Sequence, residues 1–165
     1  MKLESLKDLY LEQLRDLYSA EAQLVDALPR MVEAAHNPAL RQAFGDHLRQ
    51  TQEHIERLDR IFRDLGQSPR GHTCEGMQGL IREGEQMIRT RGAAAVIDSG
   101  LIACAQRIEH YEIAGYGTVR TYAELLGRGE HVRLLERTLQ EEEETDEKLA
   151  LLADTQVHDE AWALQ

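Results

Sequence analysis

A chain of 165 residues with 42% hydrophobic content can bury a core and has the usual length of one domain. Its 30 acidic and 19 basic residues give a formal charge of −11, which disfavours nucleic acids and anionic membranes as partners and favours cations. No apolar stretch approaches the roughly 20 residues of a membrane span, and the first residues lack a signal-peptide core, so we expect a cytoplasmic protein.

Two long helices are predicted in the first part of the chain. The first spans about residues 3–35 and ends before Pro38; the second spans 38–65, with Asn37 as its N-cap and Gly66 at its end. The core stripe predicted for the first helix is Leu14, Leu17, Glu21, Leu24, Leu28 and Met31. That of the second helix is Leu40, Phe44, Leu48, Thr51, Ile55, Leu58, Phe62 and Leu65.

A long connection follows the second helix. It opens with the loop "GQSPRGHT" and contains a predicted short helix over about residues 74–90. A connection of this length can run from one end of a bundle to the other, so that the long helices on either side of it are parallel. This is the one-crossover topology of ferritin-like bundles.

Two further long helices are predicted over about residues 93–126 and 130–154, followed by a polar C-terminal tail. The stripe of the first is Ile97, Leu101, Ala105, Glu109, Glu112, Tyr116, Val119 and Ala123. The stripe of the second is Val132, Leu135, Leu139, Glu142, Asp146, Leu149 and Ala153. The predicted fold is therefore a single all-α domain over residues 1–165, a ferritin-like four-helix bundle with one long crossover that contains a short extra helix.

Five carboxylates interrupt these apolar stripes, and His54 could reach the same space from the second helix. Burying several unpaired carboxylates together is prohibitively costly, whereas two divalent cations would balance them. Carboxylates with an imidazole suit iron or manganese. The predicted metal ligands are Glu21, His54, Glu109, Glu112, Glu142 and Asp146.

Alternatives remain for several of these residues. The carboxylates could be protonated or could pair with Arg57, the nearest cation. His47 lies two helical turns from His54 and is interpreted as a structural histidine. The run of residues 141–144 is interpreted mostly as a solvated face, in which only Glu142 has the phase of the core. Gln50 stands where a ligand Glu might be expected, and Tyr116 could hydrogen-bond a ligand or serve redox chemistry.

Five stretches of the chain, between about Leu6 and Leu152, are distinctive: "LRDLYSAEAQLVDALPRM", "QTQEHIERLDRIF", "CEGMQGLIREGEQMI", "IDSGLIACAQRIEHYEIAGYGTVRTYAELLG" and "EEEETDEKL". In these stretches the sequence resembles the YciE/YciF family of ferritin-like, stress-associated bacterial proteins. The resemblance implies a four-helix bundle, a dimer and a dinuclear iron-type site on the six predicted ligands. Gln50 departs from the family, since several relatives have Glu there. The resemblance implies no defined reaction.

Two classes of function are consistent with these observations. One is a dinuclear metalloprotein that binds iron, or alternatively manganese, and has an oxygen- or peroxide-linked role in stress, as a di-iron oxidase or a peroxide-consuming enzyme. The other is a structural or stress-interaction homodimer that has kept a ferritin-like core without turnover. Gln50 and the scarcity of histidine at the site favour the second class.

Overall fold

The computed structural model describes residues 3–164, and the all-α prediction is confirmed for them. Residues 1, 2 and 165 of the predicted domain lie outside the described residues. None of the described helices combines the length and hydropathy needed to cross a membrane. The helices are α1 (Leu6–Ala34), α2 (Pro38–Leu65), α3 (Glu75–Arg89), α4 (Ala94–Leu125), α5 (Gly129–Leu152) and α6 (His158–Trp162), with a π-helical turn over Ala153–Val157.

Local sequence signals explain where the first two helices begin and end. The Ser5 side chain accepts a hydrogen bond from the backbone N–H of Asp8 and caps α1. Asn37 caps α2 in the same way, and Pro38 occupies the first turn, where its missing N–H costs nothing. Gly66 ends α2 in the left-handed conformation, with φ of 62°.

The four long helices contact one another in the cyclic order α1, α2, α5, α4. Helix α5 runs antiparallel to α2, because Lys148 pairs with Asp46 at one end and His131 pairs with Asp64 at the other. The short turn between α4 and α5 makes these two helices antiparallel as well. Helices α2 and α4 therefore run in the same direction, and the connection that contains α3 spans the length between them. Helix α3 packs against α1 and α4.

Two apolar clusters occupy opposite ends of this arrangement. One joins the end of α1 to the start of α2 and α4, around Met31, Phe44 and Leu101. The other joins the start of α1 to the ends of α2 and α4, around Leu14 and Phe62 among others. The middle of the four helices, between the two clusters, carries most of the buried polar residues, including Glu21, His54 and Glu109.

The buried faces of α2 and α5 differ from the predicted stripes. Helix α2 buries His47 and His54, whereas the predicted Leu48 and Ile55 are only half-buried. Helix α5 similarly buries the residues His131, Leu135, Thr138, Glu142, Thr145, Leu149 and Leu152. Part of each predicted stripe is nevertheless buried, including Leu58 on α2 and Leu135 on α5, so each buried face is turned from the prediction by less than one residue position.

The segment after residue 154, predicted as a polar C-terminal tail, packs on the long helices. The chain stays helical through the π-helical turn and α6. Ala153 and Val157 are buried and join the apolar cluster around Leu101, so burial of these small side chains holds the segment on the bundle. Trp162, near the end of α6, is 71% exposed.

Candidate metal centre

Four carboxylates and two imidazoles converge in the middle of the four long helices. Helix α1 supplies Glu21, α2 supplies the histidines, α4 supplies an i,i+3 pair and α5 supplies Glu142. Every one of these side chains is inaccessible to solvent or nearly so: Glu21, His47, His54, Glu109, Glu112 and Glu142. A cluster of this charge needs compensating positive charge in order to be buried.

The side chains form two groups that share one carboxylate. The first group is His47, Glu109, Glu112 and Glu142, and the second is Glu21, His54 and Glu142. Within each group the potential ligand atoms lie within 4.8 Å of one another, which is close enough to surround one cation. Glu142 belongs to both groups and can therefore contact two cations at once.

The short distances in this cluster are not hydrogen bonds. His54 Nδ1 lies 3.2 Å from Glu21 Oε1 and 3.1 Å from Glu142 Oε1, and His47 Nδ1 lies 3.2 Å from Glu109 Oε1. Nevertheless both oxygens of Glu109, Glu112 and Glu142 and the nitrogens of these contacts have no hydrogen-bond partner among the described residues. Buried polar atoms almost always have such partners. The ligand atoms lie close together without aligned hydrogen bonds between them, as ligands of a common cation do.

The pKa values of the metal-free protein show that the negative charge of the cluster is not balanced. Burial, followed by the neighbouring carboxylates, raises the pKa of Glu109 and of Glu112 well above the usual range. Burial also raises the pKa of Glu21. Burial would raise the pKa of Glu142 too, but contact with His54 lowers it overall. Without metal, part of the cluster must therefore hold protons in place of cations.

His54 is oriented by a carboxylate that the sequence analysis assigned to the solvated face. The Nε2 atom of His54 lies 3.0 Å from Glu141 Oε2, which leaves Nδ1 facing Glu21 and Glu142. A carboxylate behind an imidazole in this way holds the ring with its other nitrogen toward a metal. Burial opposes protonation of His54, but its three carboxylate neighbours outweigh burial and raise its pKa to about 12. The interaction with His54 and Arg57 lowers the pKa of Glu141 to about 2, although burial opposes this shift.

The alternative that Arg57 pairs with the core carboxylates is wrong. Its Nη2 atom lies 3.0 Å from Glu141 Oε1, and its other contacts are with Thr138 and Glu53. Within residues 3–164, Arg57 makes no ion pair with Glu109 or Glu112. Arg57 instead holds Glu141 behind His54.

The structure places two of the sequence-predicted residues outside the cluster. Asp146 is 20% exposed, accepts a hydrogen bond from Gln106 Nε2 at 3.2 Å and lies 3.4 Å from His110 Nε2. Gln50 is half-buried and accepts a long hydrogen bond of 3.5 Å from Thr145. Since α5 turns Thr145 inward, Asp146 faces the flank of the bundle instead of its middle.

His47 and Tyr116 lie at the cluster. His47, interpreted from sequence as structural, faces both Glu109 and Glu142. The two-turn spacing of His47 and His54 was the available signal, because it puts both imidazoles on one helix face. Tyr116 is buried, and its hydroxyl donates a hydrogen bond to Glu21 Oε1.

Comparisons with known proteins agree with the resemblance seen in the sequence. The family model described as "Domain of unknown function (DUF892)" matches residues 5–162. Protein YciF of Escherichia coli K12 is 41% identical over 162 residues, which is 98% of both chains.

Solved structures show the same similarity. The crystal structure of the E. coli stress protein YciF matches with a TM-score of 0.91, covering 94% of this chain and 99% of that one. YcfI from Rhodopseudomonas palustris is 44% identical and matches with a TM-score of 0.87, covering 90% of this chain and 95% of that one. This chain therefore belongs to the DUF892 family and is a relative of the stress protein YciF.

Proposed function

We propose that the protein is a ferritin-like four-helix bundle that holds a dinuclear metal centre, with iron as the preferred metal and manganese as an alternative. The observation that carries this proposal is the set of buried ligand atoms on Glu109, Glu112 and Glu142 that have no hydrogen-bond partner within residues 3–164. Two divalent cations balance the four buried carboxylates, and imidazole and carboxylate ligands suit these metals. The combination of glutamates and histidines from four helices also supports the comparison with di-iron carboxylate bundles.

Each group in the cluster would hold one ion. His47, Glu109 and Glu112 would hold the first, Glu21 and His54 would hold the second, and Glu142 would bridge them. Loaded with two Fe(II) ions, such a centre would supply two electrons, which with two protons would reduce dioxygen to hydrogen peroxide, or hydrogen peroxide to two waters, and both ions would become Fe(III). This chemistry would give the protein an oxygen- or peroxide-linked role in stress.

Neighbouring side chains would orient these ligands. Glu141 keeps His54 Nδ1 directed at Glu21 and Glu142, and Arg57 keeps Glu141 ionised. The Tyr116 hydroxyl donates to one oxygen of Glu21, and the other oxygen has no hydrogen-bond partner in the described part of the chain. Tyr116 thereby selects which oxygen of Glu21 is available to a cation.

The direct test of the centre is its metal content. We expect the purified protein, after anaerobic titration with Fe(II), to take up two ions per chain, because the ligand atoms form two groups. Calorimetry and elemental analysis measure this stoichiometry. Absence of stoichiometric uptake of iron, manganese or zinc would contradict the centre and leave the structural, stress-interaction role as the function.

We also propose that the protein is a homodimer. Large apolar side chains lie exposed on α4, α5 and the C-terminal segment, including Leu125 at 70%, Leu151 at 63% and Leu164 at 61%. Single exposed apolar side chains also occur on monomers, so the main support for the dimer is the resemblance to the YciE/YciF family. Light scattering should return twice the chain mass of 18.8 kDa. A mass equal to that of one chain, or the mass of a many-subunit shell, would contradict the dimer.

A further inference from the structure

A narrow cavity beneath α3 reaches the cluster of buried carboxylates. It lies between α1, α3 and α4, and its inner end is formed by His47 and Glu109. Both of these residues carry buried polar atoms without hydrogen-bond partners. The walls between the inner end and the surface are almost wholly apolar and are formed mainly by Leu24, Leu28, Met31, Ile81, Ile88 and Ile108.

An ion pair forms the outer end of the cavity. Arg30 Nη2 on α1 lies 2.7 Å from Glu85 Oε1 on α3, and the two side chains are 51% and 28% exposed. Both residues line the same cavity as the buried His47 and Glu109. The cavity therefore extends from a solvent-facing ion pair to the potential ligands of the first metal ion.

The size of the cavity limits what it can hold. Its volume is about 20 Å³, whereas one water-sized molecule needs roughly 10–15 Å³ and a benzene-binding cavity has roughly 150 Å³. An organic substrate of several carbon atoms is therefore too large. The apolar walls also disfavour peroxide and ions, because these molecules would lose their hydrogen bonds to water without replacing them.

We propose that this cavity admits dioxygen to the metal centre, and that dioxygen rather than peroxide is the oxidant that reaches it by this route. Dioxygen is small and apolar, and it enters apolar cavities without losing hydrogen bonds. The proposal rests on the dinuclear centre proposed above. It adds the route and the chemical class of the oxidant.

Gly84 is the position at which the route can be closed. It lies buried within α3 and lines the cavity. A Cβ atom at Gly84 would meet its nearest neighbour, Met31 Sδ, at 3.8 Å, which is an ordinary contact. Alanine should therefore be accepted, and a leucine side chain should extend into the cavity. Gly79 on the same helix has only Arg82 Nη2 near its added Cβ, at 3.8 Å, and does not line the cavity, so Gly79→Leu is the matched control.

The first experiment uses the metal-free protein and dioxygen itself. NMR under oxygen pressure measures the paramagnetic relaxation that dissolved dioxygen causes at methyl groups. We expect larger relaxation at the methyl groups of Leu24 and Leu28, which line the cavity, than at those of Leu58 and Ile61, which lie outside it. Leu24 and Leu58 are each 1% exposed and form the matched pair. Gly84→Leu should remove this excess, and Gly79→Leu should keep it. Equal relaxation at all four residues would overturn the proposal.

The second experiment measures the oxidation of bound Fe(II) by dioxygen in stopped-flow mixing. Gly84→Leu should bind Fe(II) anaerobically with the stoichiometry of the parent. It should react with dioxygen at least about tenfold more slowly, because the added side chain would fill a cavity of only about 20 Å³. If the leucine variant does not fold, Gly84→Ala should show a smaller slowing in the same direction. An unchanged rate with dioxygen, or slowing only with hydrogen peroxide, would overturn the route.

The two experiments separate this proposal from the proposed metal function. Normal iron uptake without excess methyl relaxation overturns the route and leaves the metal centre in place. Excess relaxation in a protein that takes up no iron overturns the metal centre.

Discussion

Glu142→Gln should abolish stoichiometric metal binding, with a larger effect than any other single change in the cluster. Glu142 belongs to both groups of potential ligands, so its loss removes the bridge between them and one ligand from each ion. A residue that merely orients a ligand changes metal affinity by about 10–100-fold, and loss of the bridging ligand should exceed the upper end of that range. Anaerobic calorimetric titration of Fe(II) into the parent and the variant measures the change.

Glu143→Gln is the matched control for this experiment. Glu143 is the next residue on α5 and is exposed, so the substitution removes the same charge from the same helix without touching the cluster. We expect the control to bind Fe(II) as the parent does. Equal Fe(II) binding by the parent and Glu142→Gln would show that Glu142 does not bridge two ions.

Glu109→Gln should also abolish binding of the first ion, yet it should stabilise the metal-free protein at neutral and alkaline pH. The pKa of Glu109 is raised in the folded state above its ordinary value of 4.5, chiefly by burial. Above pH 4.5 the unfolded chain releases this proton while the folded protein keeps it. The free energy of unfolding of the metal-free parent should therefore fall as the pH rises toward the raised pKa, by up to about 1.4 kcal/mol per pH unit for each such group.

Glutamine at position 109 resembles the protonated acid and does not titrate. Metal-free Glu109→Gln should therefore be about as stable as the metal-free parent at pH 4.5 and more stable at pH 8. Addition of metal should stabilise the parent more than it stabilises Glu109→Gln. Denaturant unfolding at several pH values, with and without Fe(II), measures both effects. Glu124→Gln, on an exposed part of α4, should follow the parent. A metal-free Glu109→Gln protein that is less stable than the parent at pH 8 would contradict this description of the cluster.

Sequence periodicity was sufficient to predict the buried faces of the two helices whose core stripes are mostly apolar. On α1 and α4 every residue of the predicted stripes is buried, including Glu21, Glu109 and Glu112. A carboxylate that takes a place in a long apolar series shares the direction of its neighbours, because the helical period determines which residues lie on one face. The unusual burial of these three carboxylates could therefore be predicted without a structure.

Periodicity was insufficient to predict the complete buried faces of α2 and α5, where apolar and polar residues alternate on adjacent faces. Leu48 and Ile55 suggested one face of α2, whereas the structure buries His47 and His54. On α5, the same ambiguity placed Asp146 inward, whereas the structure buries Thr145. A shift of one position turns a helix by about 100°, which is enough to exchange a ligand for a residue on the flank.

The sequence by itself therefore determined the helices α1 to α5 and the presence of buried carboxylates on α1 and α4, because both follow from local period and capping. Only the tertiary structure decided that His47 joins the cluster, that Asp146 does not and that Glu141 orients His54. Those outcomes depend on the rotation of α2 and α5 about their own axes. Packing against the neighbouring helices sets that rotation, and no repeat within a single helix encodes it.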